Sequence, residues 1–530
     1  MNMPTSKKAS TAKILTIICF LLYFSLGLAF VFLGRIHTDE QIYLYSAFAL
    51  TKGQILYEDF FYQHGPIMPY VYSIPQLIFG QSLITGRLTS LFFGILMLFM
   101  VYKISKKLGG EVSALISVAL ISFSLVSVYN FTAMMTYTLS IFLALSSIYL
   151  LLTKLKEPIK IFASVFLMAL AVETRIVIFP GLILLLIYVL VKHLKNIKNL
   201  LAALVSLILN FLIVIFPFLL IAKKQLIFDT LIWAFSQNKF FEEFGILVKN
   251  RFFGINFGVF YLDFILDTTR DFFIPIVVAL AAIIFFVVKV KNKEIRIKKF
   301  MQKNPILLLV FGTFVLVEAG YIYAVYLPPH YTNYIYPLMC IFSGVVISRF
   351  LSKIEDATIL KTLKMLLFIL ILLSPLIQER PAINFSQNTT YRISDVYQAK
   401  LVSEKIKQYT AEEDKIFTFT PLYAAAADRM VMPGMERFYY SFFPTWSTEK
   451  AKEYNVANAD MLLDYLSSKK AGAVVLTDWF FGNQTARARA IIDKYRPAMQ
   501  EAIEKNYYLK EKIEGIRFEG DVYIYLPRQP

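Results

Sequence analysis

Eleven apolar runs, separated by loops of which every second one is basic, constrain this chain more than any other feature. Each run approaches the roughly 20 residues that a helix needs to cross the hydrocarbon core of a bilayer. Hydrophobic residues make up 57% of the 530-residue chain and charged residues 17%. Soluble domains are about 45–50% apolar and about 25% charged. The composition therefore excludes a soluble enzyme, a disordered chain and a disulfide scaffold, and it predicts a polytopic α-helical membrane protein. We predict spans near residues 14–33, 83–102, 112–129, 134–152, 161–173, 176–192, 199–222, 272–290, 305–327, 331–350 and 364–378.

The distribution of charge predicts the orientation of these spans. The N-terminal segment and every second loop after it hold 23 basic and 5 acidic residues, whereas the rest of 1–378 holds 10 basic and 12 acidic residues. Basic loops stay in the cytoplasm. The N-terminus is therefore predicted to be cytoplasmic, and an odd number of spans places the C-terminus outside the cell (inner or plasma) membrane. The net charge of +17 is thereby explained without a nucleic-acid partner.

Three outer segments are too long to be simple connections. In the first, 34–82, the stretch Ile67–Phe79 is too short to span and contains two prolines, so it is predicted to lie at the membrane interface. The second segment is 223–271. The third, 379–530, is predicted to be an extracytoplasmic α/β domain beside a transmembrane domain of residues 1–378. Its predicted strands are Lys415–Thr420, Ala473–Thr477 and Asp521–Leu526, and its predicted helices are 396–410, 448–468 and 486–505.

Titratable side chains gather on the first outer segment and at the start of the second span. They are His37, Asp39, Glu40, Asp59, His64 and Arg87. Charges near a membrane are costly unless they serve a purpose or face water. This region is therefore the strongest candidate for a functional site.

The pattern resembles the GT-C superfamily of integral-membrane glycosyltransferases, in particular bacterial relatives of protein O-mannosyltransferases and of the lipid A aminoarabinose transferase. The resemblance is carried by Asp39-Glu40 after the first span, a following pattern of Tyr, Gly, Tyr, Asp and Pro, then Phe79-Gly80, Arg87, Arg175 between the fifth and sixth spans, and His330-Tyr331 ahead of Pro337. Several relatives carry a charge between the third and fourth spans. Here that loop reads Tyr129-Asn130-Phe131-Thr132 and has no charged residue. The resemblance therefore implies no catalytic role for this loop.

The resemblance implies transfer of a sugar from a polyprenyl-phosphate donor to an acceptor hydroxyl outside the cytoplasm, with inversion. An acceptor hydroxyl needs a carboxylate base, and a departing phosphate needs basic groups that hold its charge. The expected catalytic residues are Asp39 and Glu40, and the expected substrate-binding residues are Asp59, His64, Arg87, Arg175, His330 and Tyr331. No cofactor is expected. Asp39, Glu40, Asp59 and His64 could form a divalent metal site, but the first outer segment has no tight ligand spacing, and a metal is not favoured.

Each of these residues also has a structural interpretation. Asp39-Glu40 could be an acidic pair at a helix N-terminus, Asp59 could cap a turn, and Arg87 and Arg175 could be arginines that reach towards the interface. Two other functions remain open: a polysaccharide polymerase or ligase that uses a polyprenyl-pyrophosphate carrier, and a transporter of lipid-linked sugars. The acceptor could be a glycan, a lipid or a protein.

The charge distribution makes the topology testable. A tag placed after Pro530 should be cleaved when protease is added to spheroplasts, because an odd number of spans places that end outside. A matched tag at the N-terminus should be protected in the same preparation. Protection of the C-terminal tag would contradict the predicted orientation and the side on which the site lies.

Overall fold

A computed structural model describes residues 5–236, 240, 251–252, 255–256, 269–292, 302–323, 329–378, 394–482, 490–515 and 520–529. The first part of the chain is almost entirely helical, and the last part combines helices with a small sheet.

Apolar helices of different lengths form the membrane part of the protein. Their bounds are Thr5–Leu33, Leu83–Ser122, Leu125–Thr132, Thr136–Leu151, Glu157–Thr174, Phe179–His193, Ile197–Asn210, Phe216–Ile221, Phe273–Lys291, Pro305–Tyr323, Tyr336–Leu351 and Ala357–Ile377. A π-helical turn, Phe211–Ile215, makes Ile197–Ile221 one continuous span. Their outward faces carry exposed Leu, Ile, Val and Phe side chains, as expected of surfaces that meet lipid. The chain is an integral membrane protein.

The helical segment Leu83–Ser122 is a hairpin of two helices. Gly110 has φ +81°, which breaks the helical path. Ser105 Oγ donates a hydrogen bond of 2.9 Å to Ser117 Oγ, whereas twelve residues of straight helix would separate these positions by about 18 Å. The chain therefore reverses at Gly110, and the separately predicted second and third spans correspond to the two arms.

The helices Leu125–Thr132 and Thr136–Leu151 meet at a bend of 98°. The described residues contain five helical segments that are long and apolar enough to span, or six if this bent pair counts as one. Several shorter apolar helices, among them Pro305–Gly320 and Tyr336–Leu351, fall below that length. The total of eleven spans stays a prediction.

Short helices form the outer face of the bundle. They are Glu40–Thr51 and Ile67–Phe79 in the first outer segment, and Lys223–Ile227 with the π-helical turn Phe228–Ile232 in the second. The helix Ile67–Phe79 has the bounds predicted from sequence. Further along the second segment, β1 (Arg251–Phe252) pairs antiparallel with β2 (Ile255–Asn256). Most of the second predicted outer segment lies outside the described residues.

The C-terminal part contains a four-stranded sheet of β3 (Ile416–Phe417), β4 (Ala473–Thr477), β5 (Tyr507–Ile513) and β6 (Val522–Pro527), in the order β3-β4-β6-β5. Only β3 and β4 run parallel. All five residues of β4 are buried, which explains its continuous apolar sequence. The accompanying helices are Asp395–Tyr409, Pro421–Ala426, Thr448–Glu453, Ala459–Ser467, Asp478–Phe481, Ala490–Asp493 and Arg496–Asn506. We call residues 394–529 the outer domain.

Several predicted boundaries in the outer domain need correction. The predicted helix 448–468 is two helices, because the chain leaves the helical path between Glu453 and Ala459 and Asn458 caps the second helix through a bond from Met461 N. The strand predicted at Lys415–Thr420 is only two residues long. β5 was not predicted, because its exposed, charged middle lacks the apolar alternation of a strand.

Polar contacts join the outer domain to the first outer segment. Lys52 Nζ lies 3.1 Å from a carboxylate oxygen of Asp428. The side-chain amide of Asn455 donates to the carbonyls of Tyr57 and Glu58, at 2.9 and 2.8 Å. Tyr45 accepts a bond of 3.2 Å from the backbone of Val431. These contacts place residues 428–455 directly above the first outer segment.

Candidate active site

Asp39 lies at the start of the helix Glu40–Thr51, a few residues beyond the first span. Its side chain does not cap that helix and is half-buried. Its charge acts on Tyr43, Tyr137 and Arg437. The carboxylate is therefore within electrostatic range of two tyrosines and of an arginine of the outer domain, and it makes no capping hydrogen bond to its own helix.

Glu40 and Arg87 form a buried ion pair. The side chains are 0% and 1% exposed, and Arg87 Nη2 lies 2.6 Å from Glu40 Oε2. Arg87 Nε donates to the second oxygen at 2.8 Å. Glu40 also accepts from the backbone N–H groups of His37 and Met134, at 2.8 and 2.9 Å. Burial opposes ionisation, but the charge and hydrogen bonds of Arg87 outweigh it and lower the pKa of Glu40.

The guanidinium of Arg87 has no donor left for a substrate. It also donates to carbonyls at the end of the first span and just after it: Phe30 at 3.0 Å, Gly34 at 3.0 Å and Arg35 at 2.8 Å. The structure thus places Glu40 and Arg87, which the sequence suggested for catalysis and phosphate binding, in a contact that joins the first two spans to the first outer segment.

Asp59 has the structural role that the sequence left open. Its exposed carboxylate accepts a bond of 2.6 Å from Ile55 N. Tyr57, within this turn, has φ +69° and donates its hydroxyl to the carbonyl of His64 at 2.6 Å. The turn therefore shapes the chain that carries His64, and Asp59 stabilises the turn.

His64 and Arg175 are in direct contact, although 111 residues separate them. Nη1 of Arg175 lies 2.9 Å from Nδ1 and 2.5 Å from Nε2 of His64. Burial, Arg175 and Arg437 hold the pKa of His64 well below its usual value. A neutral imidazole can accept from the guanidinium, which explains how the two basic residues share one site.

Tyrosine rings enclose this basic pair. The Arg175 guanidinium lies 5.5 Å from the ring centre of Tyr331 and 5.6 Å from that of Tyr334. Tyr43 stacks on His64 with ring centres 5.9 Å apart. The structure thus brings together Asp39, His64, Arg175 and Tyr331 from the predicted set. The backbone of His330 lies in the 3-10 helix Pro329–Tyr334, but its side chain is outside the described residues.

Two groups of this site were not predicted. Arg437 of the outer domain is 1% exposed and lies 5.0 Å from the ring centre of Tyr62. Asp229 is 0% exposed and accepts a bond of 2.8 Å from Tyr62 N. Burial raises the pKa of Asp229 well above its usual value. Neither residue stands in a sequence motif, and only the folded chain brings them to Tyr62.

A divalent metal does not fit this arrangement. Glu40 is occupied by Arg87, Asp59 by its turn, and His64 by Arg175. Among the residues that the structure describes, no three His, Cys, Asp or Glu side chains converge as metal ligands.

Part of the chain matches a family model, and the fold is similar to that of solved structures. Residues 63–221 match the model of the dolichyl-phosphate-mannose-protein mannosyltransferase family. No curated protein gives a significant match. Among solved structures, ArnT from Cupriavidus metallidurans bound to undecaprenyl phosphate is similar with a TM-score of 0.59 and 12% identity, over 97% of this chain and 98% of that chain.

An oligosaccharyltransferase from Archaeoglobus fulgidus, tethered with an acceptor peptide, is also similar. Its TM-score is 0.55 at 12% identity, over 98% of this chain and 74% of that chain. The resemblance to GT-C membrane glycosyltransferases predicted from the first outer segment is thereby confirmed. The comparisons support glycosyl transfer as the class of activity.

The buried ion pair leads to a stability prediction. Arg87→Met should lower the free energy of unfolding by about 3–5 kcal/mol, because Glu40 is left buried without a counter-charge. The double variant Glu40→Gln/Arg87→Met should recover part of this loss. Thermal unfolding of the purified protein in micelles, followed by tryptophan fluorescence, measures both.

Lys106→Met is a matched control. Lys106 pairs with Glu111 at 2.7 Å, but its side chain is 41% exposed, and such pairs contribute about 0–1 kcal/mol. An Arg87→Met protein that unfolds at the same temperature as the Lys106→Met protein would contradict the structural role of the buried pair.

Proposed function

We propose that this protein transfers a sugar from a polyprenyl-phosphate donor to an acceptor hydroxyl on the extracytoplasmic side of the membrane, with inversion at the anomeric carbon. The observation that supports the proposal is that one tyrosine links the two groups: Tyr43 stacks on His64, which contacts Arg175, and the charge of the half-buried Asp39 acts on the same Tyr43. A base and an anion-binding group are the two components that this reaction needs.

Asp39 is the proposed general base. Its carboxylate accepts the proton of the acceptor hydroxyl while the acceptor oxygen forms a bond to the anomeric carbon. The bond between that carbon and the phosphate oxygen breaks, and its electron pair leaves with polyprenyl phosphate. Attack from the face opposite the leaving group inverts the configuration. The transition state has oxocarbenium character, as in glycoside hydrolysis.

Arg175 is the proposed ligand of the departing phosphate. Guanidinium groups match phosphate oxygens in a planar, bidentate geometry. The tyrosine rings around Arg175 favour a fixed cation, and the contact with neutral His64 leaves its positive charge uncompensated by that partner. The lipid tail would follow the apolar outer faces of the helices into the bilayer.

The lipids bound to similar proteins support this choice of donor. The ArnT structure contains undecaprenyl phosphate, and a second Archaeoglobus fulgidus structure contains an inhibitory peptide and a dolichol-phosphate, with a TM-score of 0.55 and 11% identity. Polyprenyl phosphates are thus a carrier class that membrane proteins of this fold accommodate. Mass spectrometry of lipid that co-purifies with this protein would identify the sugar.

Asp39→Asn tests the assignment of the base. The amide keeps the size of the side chain but cannot accept the proton. We expect kcat for release of polyprenyl phosphate to fall by about 10²- to 10⁴-fold, with little change in thermal unfolding because the carboxylate does not cap its helix.

Asp59→Asn is the control, since it removes a carboxylate of the same segment that is bonded to a turn. It should keep turnover near that of the unmodified protein. An Asp39→Asn protein that retained more than about a tenth of the original turnover would lie outside the range expected for a general base, and the assignment would then be wrong.

Metal independence is a further proposal. Because Glu40, Asp59 and His64 are occupied by protein groups, we expect turnover to be unchanged after dialysis against EDTA. Added Mg²⁺ or Mn²⁺ should give no stimulation. Loss of activity with EDTA, restored by one of these ions, would contradict the proposal.

A further inference from the structure

The guanidinium of Arg437 is a buried cation without a matching anion. Its side chain is 1% exposed. Within the described part of the chain, its Nε and Nη1 atoms make no hydrogen bond. Leaving buried donors of a charged group unbonded is costly, and such groups in native proteins require an explanation. A ligand that supplies the missing acceptors is one.

The outer domain holds Arg437 in a loop of fixed shape. Gly434 begins the loop with φ +83°, and a Cβ at this position would lie only 2.5 Å from Ala457 N. Ser441 Oγ donates to the carbonyl of Gly434 at 2.7 Å and accepts from Arg437 N at 3.3 Å. The loop is therefore closed on itself, and the position of Arg437 is set before any ligand binds.

The loop also lies over the site because aromatic packing fixes it there. Phe443, close after Arg437, packs against Trp233 with ring centres 5.3 Å apart and against Phe228 at 6.0 Å. Asn455 holds the other side through the carbonyls of Tyr57 and Glu58. The outer domain thus places the guanidinium of Arg437 beside residues of the membrane part.

Burial opposes ionisation of two carboxyl groups near Arg437. It raises the pKa of Glu436 to about 8 and that of Asp229 well above its usual value. Asp39 is the remaining carboxylate whose charge acts on Arg437, and it is needed as the base.

Arg437 and Arg175 converge on the same imidazole. Both charges lower the pKa of His64. Arg175 contacts His64 directly, while Arg437 lies over the ring of Tyr62, which in turn meets His64 edge-on with ring centres 5.8 Å apart. The charges of two guanidinium groups thus reach the same imidazole. A phosphate has several oxygen acceptors, so it is a ligand that two guanidinium groups can share.

We propose that Arg437 is a substrate-binding residue that the outer domain supplies, and that it binds the phosphate of the lipid-linked donor together with Arg175. This inference rests on the proposed function, because it names a ligand of the same donor. It gives the outer domain a role in closing the phosphate site, in addition to any contact with the acceptor.

The test compares binding of undecaprenyl phosphate and undecaprenol to the full-length protein in micelles. The two lipids have the same tail. The Kd of undecaprenol divided by the Kd of undecaprenyl phosphate therefore measures the contribution of the phosphate, and we call this quotient the ratio. Arg437→Gln should lower this ratio by about 10- to 100-fold, as expected for loss of a hydrogen bond to a charged group. Arg437→Lys should recover part of the ratio, because it keeps the charge without the planar fork.

Arg429→Gln is the matched control. Arg429 is a buried arginine of the same domain whose Nη2 donates to the carbonyl of Thr410 at 2.8 Å and whose Nε donates to the Thr410 hydroxyl at 3.1 Å. Its replacement should lower the thermal stability of the outer domain but leave the ratio unchanged. A parallel loss in both arginine variants would show a general effect of domain stability and would overturn the inference.

Other outcomes separate the inference from the proposed function. If Arg175→Gln lowers the ratio while Arg437→Gln does not, the donor assignment stands and the role of Arg437 is wrong. If Arg437→Gln lowers kcat without changing the ratio, Arg437 does not bind the donor phosphate and the inference is wrong. Arg437 would then act on the Asp39 carboxylate or on an anionic acceptor. If the unmodified protein does not distinguish the two lipids, both the proposed donor and this inference fail.

Discussion

The buried ion pair of Glu40 and Arg87 is the contact on which the geometry of the site depends. Arg87 belongs to the second span, Glu40 to the helix after the first span, and the bonded carbonyls of Gly34 and Arg35 to the connection between them. Glu40 also bonds to Met134 at the bend between two further helices. Four segments of chain therefore meet at one carboxylate. Asp39 precedes Glu40 directly, so its height and direction follow from this junction.

This arrangement separates two adjacent carboxylates into two roles. Glu40 is fully buried and its pKa is lowered because the charge and hydrogen bonds of Arg87 outweigh the cost of burial. Asp39 is half-buried and leaves its helix uncapped. Neighbouring residues of a helix point about 100° apart. Glu40 can therefore be buried among backbone groups while Asp39 points in a different direction. The environment, not the residue type, determines which of the two can take a proton.

The sequence predicted those parts of the structure that depend on local patterns. The apolar runs predicted the membrane helices, and the length and prolines of Ile67–Phe79 predicted a short outer helix. The same reasoning could not assign Arg87, because its partner Glu40 lies 47 residues away and a lone arginine at a span end has several interpretations. The role of Arg437 could not be predicted for the same reason, because nothing near it in sequence indicates that Tyr62 is its neighbour. Long-range packing, rather than composition, decides such roles.

The proposed function gives a reason for the contacts between the outer domain and the membrane helices. In the proposed site, Arg175, at the end of Glu157–Thr174, approaches the donor phosphate from the side of the bundle. Water would occupy its upper side and weaken every charged interaction there, because electrostatic interactions strengthen as the surrounding dielectric falls. The loop of Arg437 covers this side and is fixed by Phe443 and Asn455. A cover that itself carries a guanidinium excludes water and supplies the charge that water would otherwise have solvated.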